Sequence, residues 1–261
     1  MTKDYSQRFG GIGRLYGRSG MERLAAAHVC VIGVGGVGSW TVEALVRSGV
    51  GRVTTVDMDD VCITNVNRQL PALDGAIGRP KVEVIAERMR LIHPSCEIIP
   101  VAEFLTVQNA TRLLAGPYDC VVDAVDRTSI KSLIIATCVR AGIPVVTAGG
   151  AGGRRDATAL RSGDLARTGG DELLRQVRRD LRRNHGFPAG EAPLGVSAVY
   201  SAEPQVFPWA DGSCRAEAEP RGALKMDCAS GFGAATHVTG AFGFAAAGEA
   251  LRLITAGRDS A

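Results

Sequence analysis

Four groups of residues have the types and spacing to handle a phosphorylated ligand. The first is Gly33-Val34-Gly35-Gly36-Val37-Gly38, entered from the apolar run Val29-Cys30-Val31-Ile32 and left through the amphipathic stretch Ser39 to Ser48. Glycines 33, 35, 36 and 38 let backbone N–H groups approach an anion, and the following helix aims its positive dipole end at the same point. The second is Asp57, ending Val53-Thr54-Thr55-Val56, where a parallel strand places a carboxylate able to hold ribose hydroxyls. The third runs from Asp59 through Asn65-Val66-Asn67-Arg68-Gln69 to Lys81. Asn65 and Arg68 follow the ribose-binding strand closely enough to reach back to phosphates, and Lys81 brings a point charge at the start of a helix. The fourth is Asp126, just past Val121-Val122-Asp123. It reads either as a magnesium ligand that leaves room for water and phosphate oxygens, or as the cap of a helix beginning near Thr128.

Positioning these residues together calls for an open α/β sheet, which binds ligands at the carboxyl ends of its strands. Apolar runs predict strands near 28–33, 52–57, 97–101, 119–123 and 143–147, alternating with helices near 37–48, 80–92, 106–115 and 128–141. After Pro80, Val82, Ile85, Met89 and Ile92 recur at helical spacing with Glu87, Arg88 and Arg90 opposite. The expected architecture is a Rossmann-like, doubly wound, mostly parallel sheet. Past Gly149-Gly150-Ala151-Gly152-Gly153 the texture changes to a strongly charged helix and short extended pieces. That change divides the chain into a nucleotide-binding domain, 1–153, and an extension, 154–261, packed on the same body. The run from Ala234 to Gly248 reads as a buried helix, too short and too weakly apolar to span a bilayer.

Composition narrows the function classes. With 46% hydrophobic residues over 261 positions the chain can bury a sizeable core. A net charge of +3 permits a nucleic-acid partner without demanding one. Its 7 cysteines form no C-x-x-C pair, so neither a disulfide framework nor a zinc ribbon fits, and reduced thiols in a cytoplasmic protein are expected. The N-terminus is polar and of mixed charge, unlike a signal peptide.

Taken in order, Gly-x-Gly-Gly-x-Gly, Asp57-x-Asp59, Asn65-x-Asn67-Arg68-Gln69, Lys81 and Asp126 resemble the E1-like adenylating superfamily over roughly residues 8–150. Arg8-Phe9-Gly10-Gly11, Arg14-Leu15-Tyr16-Gly17, Thr147-Ala148-Gly149-Gly150-Ala151-Gly152-Gly153 and Met226-Asp227-Cys228-Ala229-Ser230-Gly231-Phe232-Gly233 extend that likeness to the tRNA threonylcarbamoyladenosine dehydratases. The resemblance implies ATP-dependent adenylation of the threonyl carboxylate of N6-threonylcarbamoyladenosine at position 37 of tRNA, followed by cyclisation. Arg68, Lys81 and Asp126 would act on the phosphates, with magnesium on Asp126. The alternative within the superfamily is an adenylyltransferase for a small ubiquitin-like sulfur carrier.

Further roles follow from the same resemblance. Cys228 is the candidate for a thioester or another catalytic role, against its reading as a small buried hydrophobe. An arginine from the N-terminal segment, Arg8 or Arg14, would cross to the partner's ATP in a homodimer. A monovalent cation, sodium or potassium, and a cysteine desulfurase system are also implied, and no residue locates either. On the residues themselves, Arg175, Arg178, Arg179, Arg182 and Arg183 put five arginines within nine positions of one helix, helped by Arg154, Arg155 and Arg161. Such a face suits the phosphate backbone of tRNA. The bland reading is a solvated helix neutralised by Asp171, Glu172 and Asp180.

Overall fold

Continuous β-branched runs, which a parallel sheet covered on both faces requires, decide the centre of the molecule. The computed structural model describes residues 2–219 and 232–256. Its main sheet has seven strands: β1 (His28–Ile32), β2 (Arg52–Val56), β3 (Glu97–Val101), β4 (Cys120–Asp123), β5 (Val145–Ala148), β6 (Leu160–Asp164) and β7 (Ser197–Ser201). They lie in the order β3-β2-β1-β4-β5-β7-β6, all parallel except β6, which runs antiparallel to β7. Every residue of β1, β4 and β5 is buried. The strand order reverses at β1, so the crevice between the carboxyl ends of β1 and β4 is the topological switch point at which such sheets bind ligands.

Among the described residues seven α-helices flank the sheet: α1 (Lys3–Ala26), α2 (Gly38–Arg47), α3 (Lys81–Ile92), α4 (Ala110–Leu113), α5 (Thr128–Arg140), α6 (Glu172–Asn184) and α7 (Thr236–Ala256). Leu24, Leu45, Ile85, Met89 and Phe242 fill one core from α1, α2, α3 and α7. Leu113, Ile134, Ile135, Leu174, Val177 and Leu181 fill a second from α4, α5 and α6. Among the described residues, those past 153 add two strands to the main sheet, two α-helices, and a small antiparallel pair of Phe207–Pro208 with Cys214–Arg215. α7, the buried helix expected near the C-terminus, lies close along α2. A Cβ on Gly243 would sit 2.6 Å from the Val37 carbonyl and 2.7 Å from Trp40 Cβ, so only glycine admits that approach. No helix among the described residues is long and apolar enough to cross a membrane.

Two elements depart from the sequence expectation. The helix expected over 106–115 contracts to Ala110–Leu113. Asn109 Oδ1 accepts from the Thr106 backbone N–H at 2.7 Å while its Nδ2 donates to the Phe104 carbonyl at 2.9 Å. These local bonds compete with the first helical turn. Helix α1, not anticipated, is interrupted at Gly17 (φ 74°), and its glycines at 10, 11, 13, 17 and 20 blur the helical signal. Tyr5 and Phe9 pin its first half, with the Tyr5 hydroxyl donating to the Gly49 carbonyl at 2.7 Å and Phe9 meeting His93 edge-to-face at 4.6 Å between ring centroids.

Candidate phosphate-binding site

The glycine loop follows β1 directly and owes its shape to two of its four glycines. Gly33 sits at φ 86°, and a Cβ there would meet the Ala124 backbone at 3.0 Å. A Cβ on Gly38 would lie 1.8 Å from the Gly33 carbonyl oxygen. A Cβ on Gly35 would meet only Gln69 Nε2, at 3.8 Å, whereas one on Gly36 would press on Thr239 at 3.3 Å and Arg68 Cγ at 3.5 Å, so Gly36 is hemmed in by side chains and Gly35 is not. Asp57 Oδ2 accepts from the Val34 N–H at 2.6 Å and its Oδ1 from the Asp59 N–H at 2.9 Å. The carboxylate read as a ribose ligand is thus also the brace of the loop. Each of its oxygens keeps a second lone pair for a hydroxyl.

Beyond β2, the chain turns so that Asp59 meets Lys81 at the start of α3, Nζ to Oδ2 2.8 Å. Lys81 is 5% exposed, so it is not the solvated surface charge that a helical lysine ordinarily is. Asn65 is buried, its Oδ1 accepting from the Cys62 N–H at 3.1 Å, which holds the 62–65 turn. Arg68 donates to the Thr64 carbonyl at 2.8 Å and to Asn67 Oδ1 at 3.0 Å. Its carbonyl accepts from Trp40 Nε1 at 3.2 Å and Thr239 Oγ1 at 3.3 Å, which ties the segment to α2 and α7. Cys62, exposed nearby, has its thiol held below the ordinary value by the Thr64 hydroxyl hydrogen bond, helped by Lys81.

Asp126 is exposed and has no hydrogen-bond or ion-pair partner among the described residues. The N-cap of α5 is Arg127 and no side chain caps that helix, so the alternative role of Asp126 as a cap drops out. Among the described residues no three His, Cys, Asp or Glu side chains gather into a metal cage. A lone free carboxylate beside a phosphate cradle nonetheless suits magnesium, which usually takes one or two carboxylates and completes its shell with phosphates and water.

Three residues here carry no role in the sequence reading. Asp123 and Lys131 form a fully buried ion pair, Oδ2 to Nζ 3.0 Å, beneath the loop that carries Asp126. A lysine inside the apolar run Ile130 to Ile135 was the available signal. Gln69 is 9% exposed, with a buried Oε1 lacking a partner and its Nε2 over Gly35. Its place directly after Arg68 marked it.

The arginines separate. Arg154 is 3% exposed and donates to the Gly150 carbonyl at 2.7 Å and to Asp171 Oδ2 at 3.3 Å. This corrects the expectation that Arg154 lies on a nucleic-acid surface: burial lowers its pKa and Asp171 compensates. Asp171 in turn caps α6 through the Leu174 N–H at 3.0 Å rather than neutralising the arginine face. Arg178 bonds the Thr168 hydroxyl, and Arg182 the Pro188 carbonyl at 3.1 Å, both half-buried. The exposed ridge is Arg175, Arg179 and Arg183, opposite the buried Leu174, Val177 and Leu181. Arg155 and Arg161 are exposed as well. Arg14 is exposed on α1, whereas Arg8 pairs with Asp4 at 2.8 Å and reaches the Ile92 carbonyl at 3.4 Å, at the far end of α3 from Lys81. Cys228 lies outside the described residues.

A profile of the ThiF family matches residues 10–260. The tRNA threonylcarbamoyladenosine dehydratase of Haemophilus influenzae is 48% identical over 242 residues, covering 92% of this chain and 90% of that protein. The chain belongs to the ThiF family. Within it the likeness is to the dehydratases along nearly the whole length, since the Escherichia coli enzyme of that name is 47% identical over 97% of this chain and 95% of its own. The solved structure of Escherichia coli tRNA N6-threonylcarbamoyladenosine dehydratase in complex with ATP superposes with a TM-score of 0.87 at 42% identity, covering 98% of this chain and 96% of that one. The mostly parallel seven-stranded sheet with flanking helices is therefore the fold of the family.

Proposed function

We propose that this protein uses ATP to adenylate the threonyl carboxylate of N6-threonylcarbamoyladenosine at position 37 of tRNA and closes it to the cyclic form. The observation that carries the reading is the near-full-length identity to the dehydratases. Gly35 and Gly36, Lys81 and Asp126 at one end of the sheet support it.

The threonyl carboxylate attacks the α-phosphorus of ATP and pyrophosphate leaves, so negative charge develops on phosphate oxygens. The backbone of the glycine loop, Arg68 and Lys81 are the donors available to stabilise that charge. Asp126 would hold magnesium, which when bound neutralises the phosphates. In the resulting acyl-adenylate, attack from within the carbamoyl group forms the ring and expels AMP, leaving a product one water lighter. Because that attack is intramolecular, the protein's contribution is to hold geometry and keep water out.

In this reading residues 1–153 carry adenylation and 154–261 contribute the tRNA face, with Arg155, Arg175, Arg179 and Arg183 toward the phosphate backbone. The enzyme works as a cytoplasmic homodimer in which an N-terminal arginine serves the partner's ATP. Arg8 suits that role, since within its own chain it sits about 16 Å along α3 from Lys81. Cys228 is the candidate for a thioester, in which case the thiol would displace AMP and ring closure would then release the thiol, or for another catalytic role; a monovalent cation and a cysteine desulfurase system accompany the reaction.

The test is nucleoside mass spectrometry of threonylcarbamoyl-modified tRNA incubated with the protein, with and without ATP and magnesium. The expected result is ATP-dependent loss of one water from the modified adenosine, abolished by Lys81→Ala, with Cys228→Ala reporting whether a thiol is needed. ATP turnover without that mass change would overturn the reading in favour of carrier-protein activation.

A further inference from the structure

Lys131 and Asp123 are each fully buried, at the carboxyl end of β4 and the first turns of α5. The Lys131 ammonium lies 3.0 Å from Asp123 Oδ2, 2.9 Å from the Val125 carbonyl and 3.4 Å from the Asp123 carbonyl, three acceptors for its three N–H donors. Asp123 Oδ2 also accepts from the Thr147 hydroxyl at 2.7 Å, and its Oδ1 from the Val125 N–H at 3.3 Å. The cluster is closed on itself, yet what it holds is the turn from 124 to 127.

That turn touches the phosphate cradle. The Ala124 N–H donates to the Ile32 carbonyl at 2.9 Å, the last residue of β1 before the loop. The Ala124 carbonyl and the Val125 nitrogen lie 3.0 Å and 3.2 Å from where a Cβ on Gly33 would be, and Ala124 Cβ lies 3.3 Å from the corresponding position on Gly38. A shift of 124–125 is therefore transmitted to the loop, and the same turn ends in Asp126.

An ion pair is a poor way merely to fasten α5 to the sheet. Apolar side chains of equal volume would do that as well or better, because two charges must leave water. Its neighbours Val121, Val122, Ile134 and Ile135 show that the site tolerates apolar packing. What an ammonium does and a hydrocarbon cannot is fix the direction of two carbonyls and one carboxylate at once.

We propose that the buried Lys131–Asp123 pair is a positioning device: by clamping the 124–127 turn it shapes the floor of the glycine loop and presents Asp126, and so sets nucleotide affinity without touching the nucleotide. The inference rests on the reading that this site binds ATP.

The test compares wild type, Lys131→Met and Thr147→Val by calorimetry with ATP, without and with magnesium, by tRNA binding, and by hydrogen exchange. For Lys131→Met the expected result is an ATP Kd weakened about tenfold or more with or without magnesium, as sub-ångström misplacement of a binding loop produces. The tRNA Kd stays within about twofold, and exchange speeds up at 33–38 and 124–127 while β2 and β3 stay protected. Thr147→Val, which keeps both charges and removes only the hydroxyl that orients Asp123, shows the same pattern at about threefold, and decides the matter should Lys131→Met fail to fold. ATP affinity unchanged in the folded variants overturns the proposal, as does a parallel loss of tRNA binding and of protection across the sheet. Wild-type protein that binds no ATP would instead sink the reading of the site.

Discussion

The Lys81 ammonium lies 2.8 Å from the Asp59 carboxylate while the Lys81 backbone N–H donates to the Asp59 carbonyl at 3.0 Å, so one residue grips another through side chain and main chain together. The two are not equally buried: the side chain of Lys81 is 6% exposed and that of Asp59 53%. The lysine stem is fixed by packing, and the aspartate holds its charged tip at the edge of the site.

Lys81→Met is therefore expected to lower ATP–pyrophosphate exchange by about 10²–10³-fold, as loss of a preorganised donor to developing negative charge does. Asp59→Asn keeps a hydrogen-bond acceptor and should lose less, about tenfold. Equal losses would mean that the pair acts as a fold element only, a point thermal unfolding of both variants checks.

Gly38→Ala should be the most damaging single methyl in the cradle, because its Cβ would lie 1.8 Å from the Gly33 carbonyl. The backbone there must move, at a cost of about 1–3 kcal/mol in unfolding free energy, and ATP binding should vanish. Gly35→Ala, whose nearest neighbour is Gln69 Nε2 at 3.8 Å, should unfold within about 0.5 kcal/mol of wild type. Denaturant titration separates the two.

Acid should weaken the anchoring of α1. Burial pushes the His93 pKa below 6.5, the Val50 backbone hydrogen bond and Asp4 opposing and Arg8 assisting. The folded state thus binds this proton less readily than the unfolded chain. The His93 contribution is fully present above pH 6.5 and is lost as pH falls from there through the lowered folded value. Unfolding free energy measured from pH 7 to 5 should fall, and His93→Phe, which keeps the contact with Phe9, should flatten that fall. A slope untouched by the substitution would assign it to other groups, His28 first among them, since burial lowers its pKa too.

The exposed arginines of α6 and the buried Arg154 should behave oppositely. Arg175→Gln, Arg179→Gln and Arg183→Gln together should weaken tRNA binding and reduce the slope of log affinity against log salt by about 2–3, leaving stability near wild type. Arg154→Met should instead cost about 3–5 kcal/mol of stability, because it strands Asp171, 1% exposed, at the start of the helix. Filter binding across a salt series and thermal melts test the pair of expectations.

What could be read from sequence was whatever the chain writes locally. The run Val29 to Ile32, the glycine loop and the amphipathic stretch after it are contiguous, so strand, cradle and helix α2 were legible with their boundaries nearly in place. β4 and β5 were legible for the same reason, since strands covered on both faces read as near-continuous apolar runs, and β2 and the edge strand β3 from their short runs of β-branched and apolar residues. The order of Asp57, Arg68, Lys81 and Asp126 likewise carried the family. Tertiary structure alone decided how each charged side chain is used. Arg154 and Arg179 look alike in sequence, yet one is buried against Asp171 and the other faces solvent. Lys131 reads as an ordinary helical lysine until Asp123, eight positions away, and Thr147, on the neighbouring strand, enclose it. Residues distant along the chain set burial and pairing, and a buried charge must find a partner whereas an exposed one need not. Residue type and spacing encode the first kind of information and not the second.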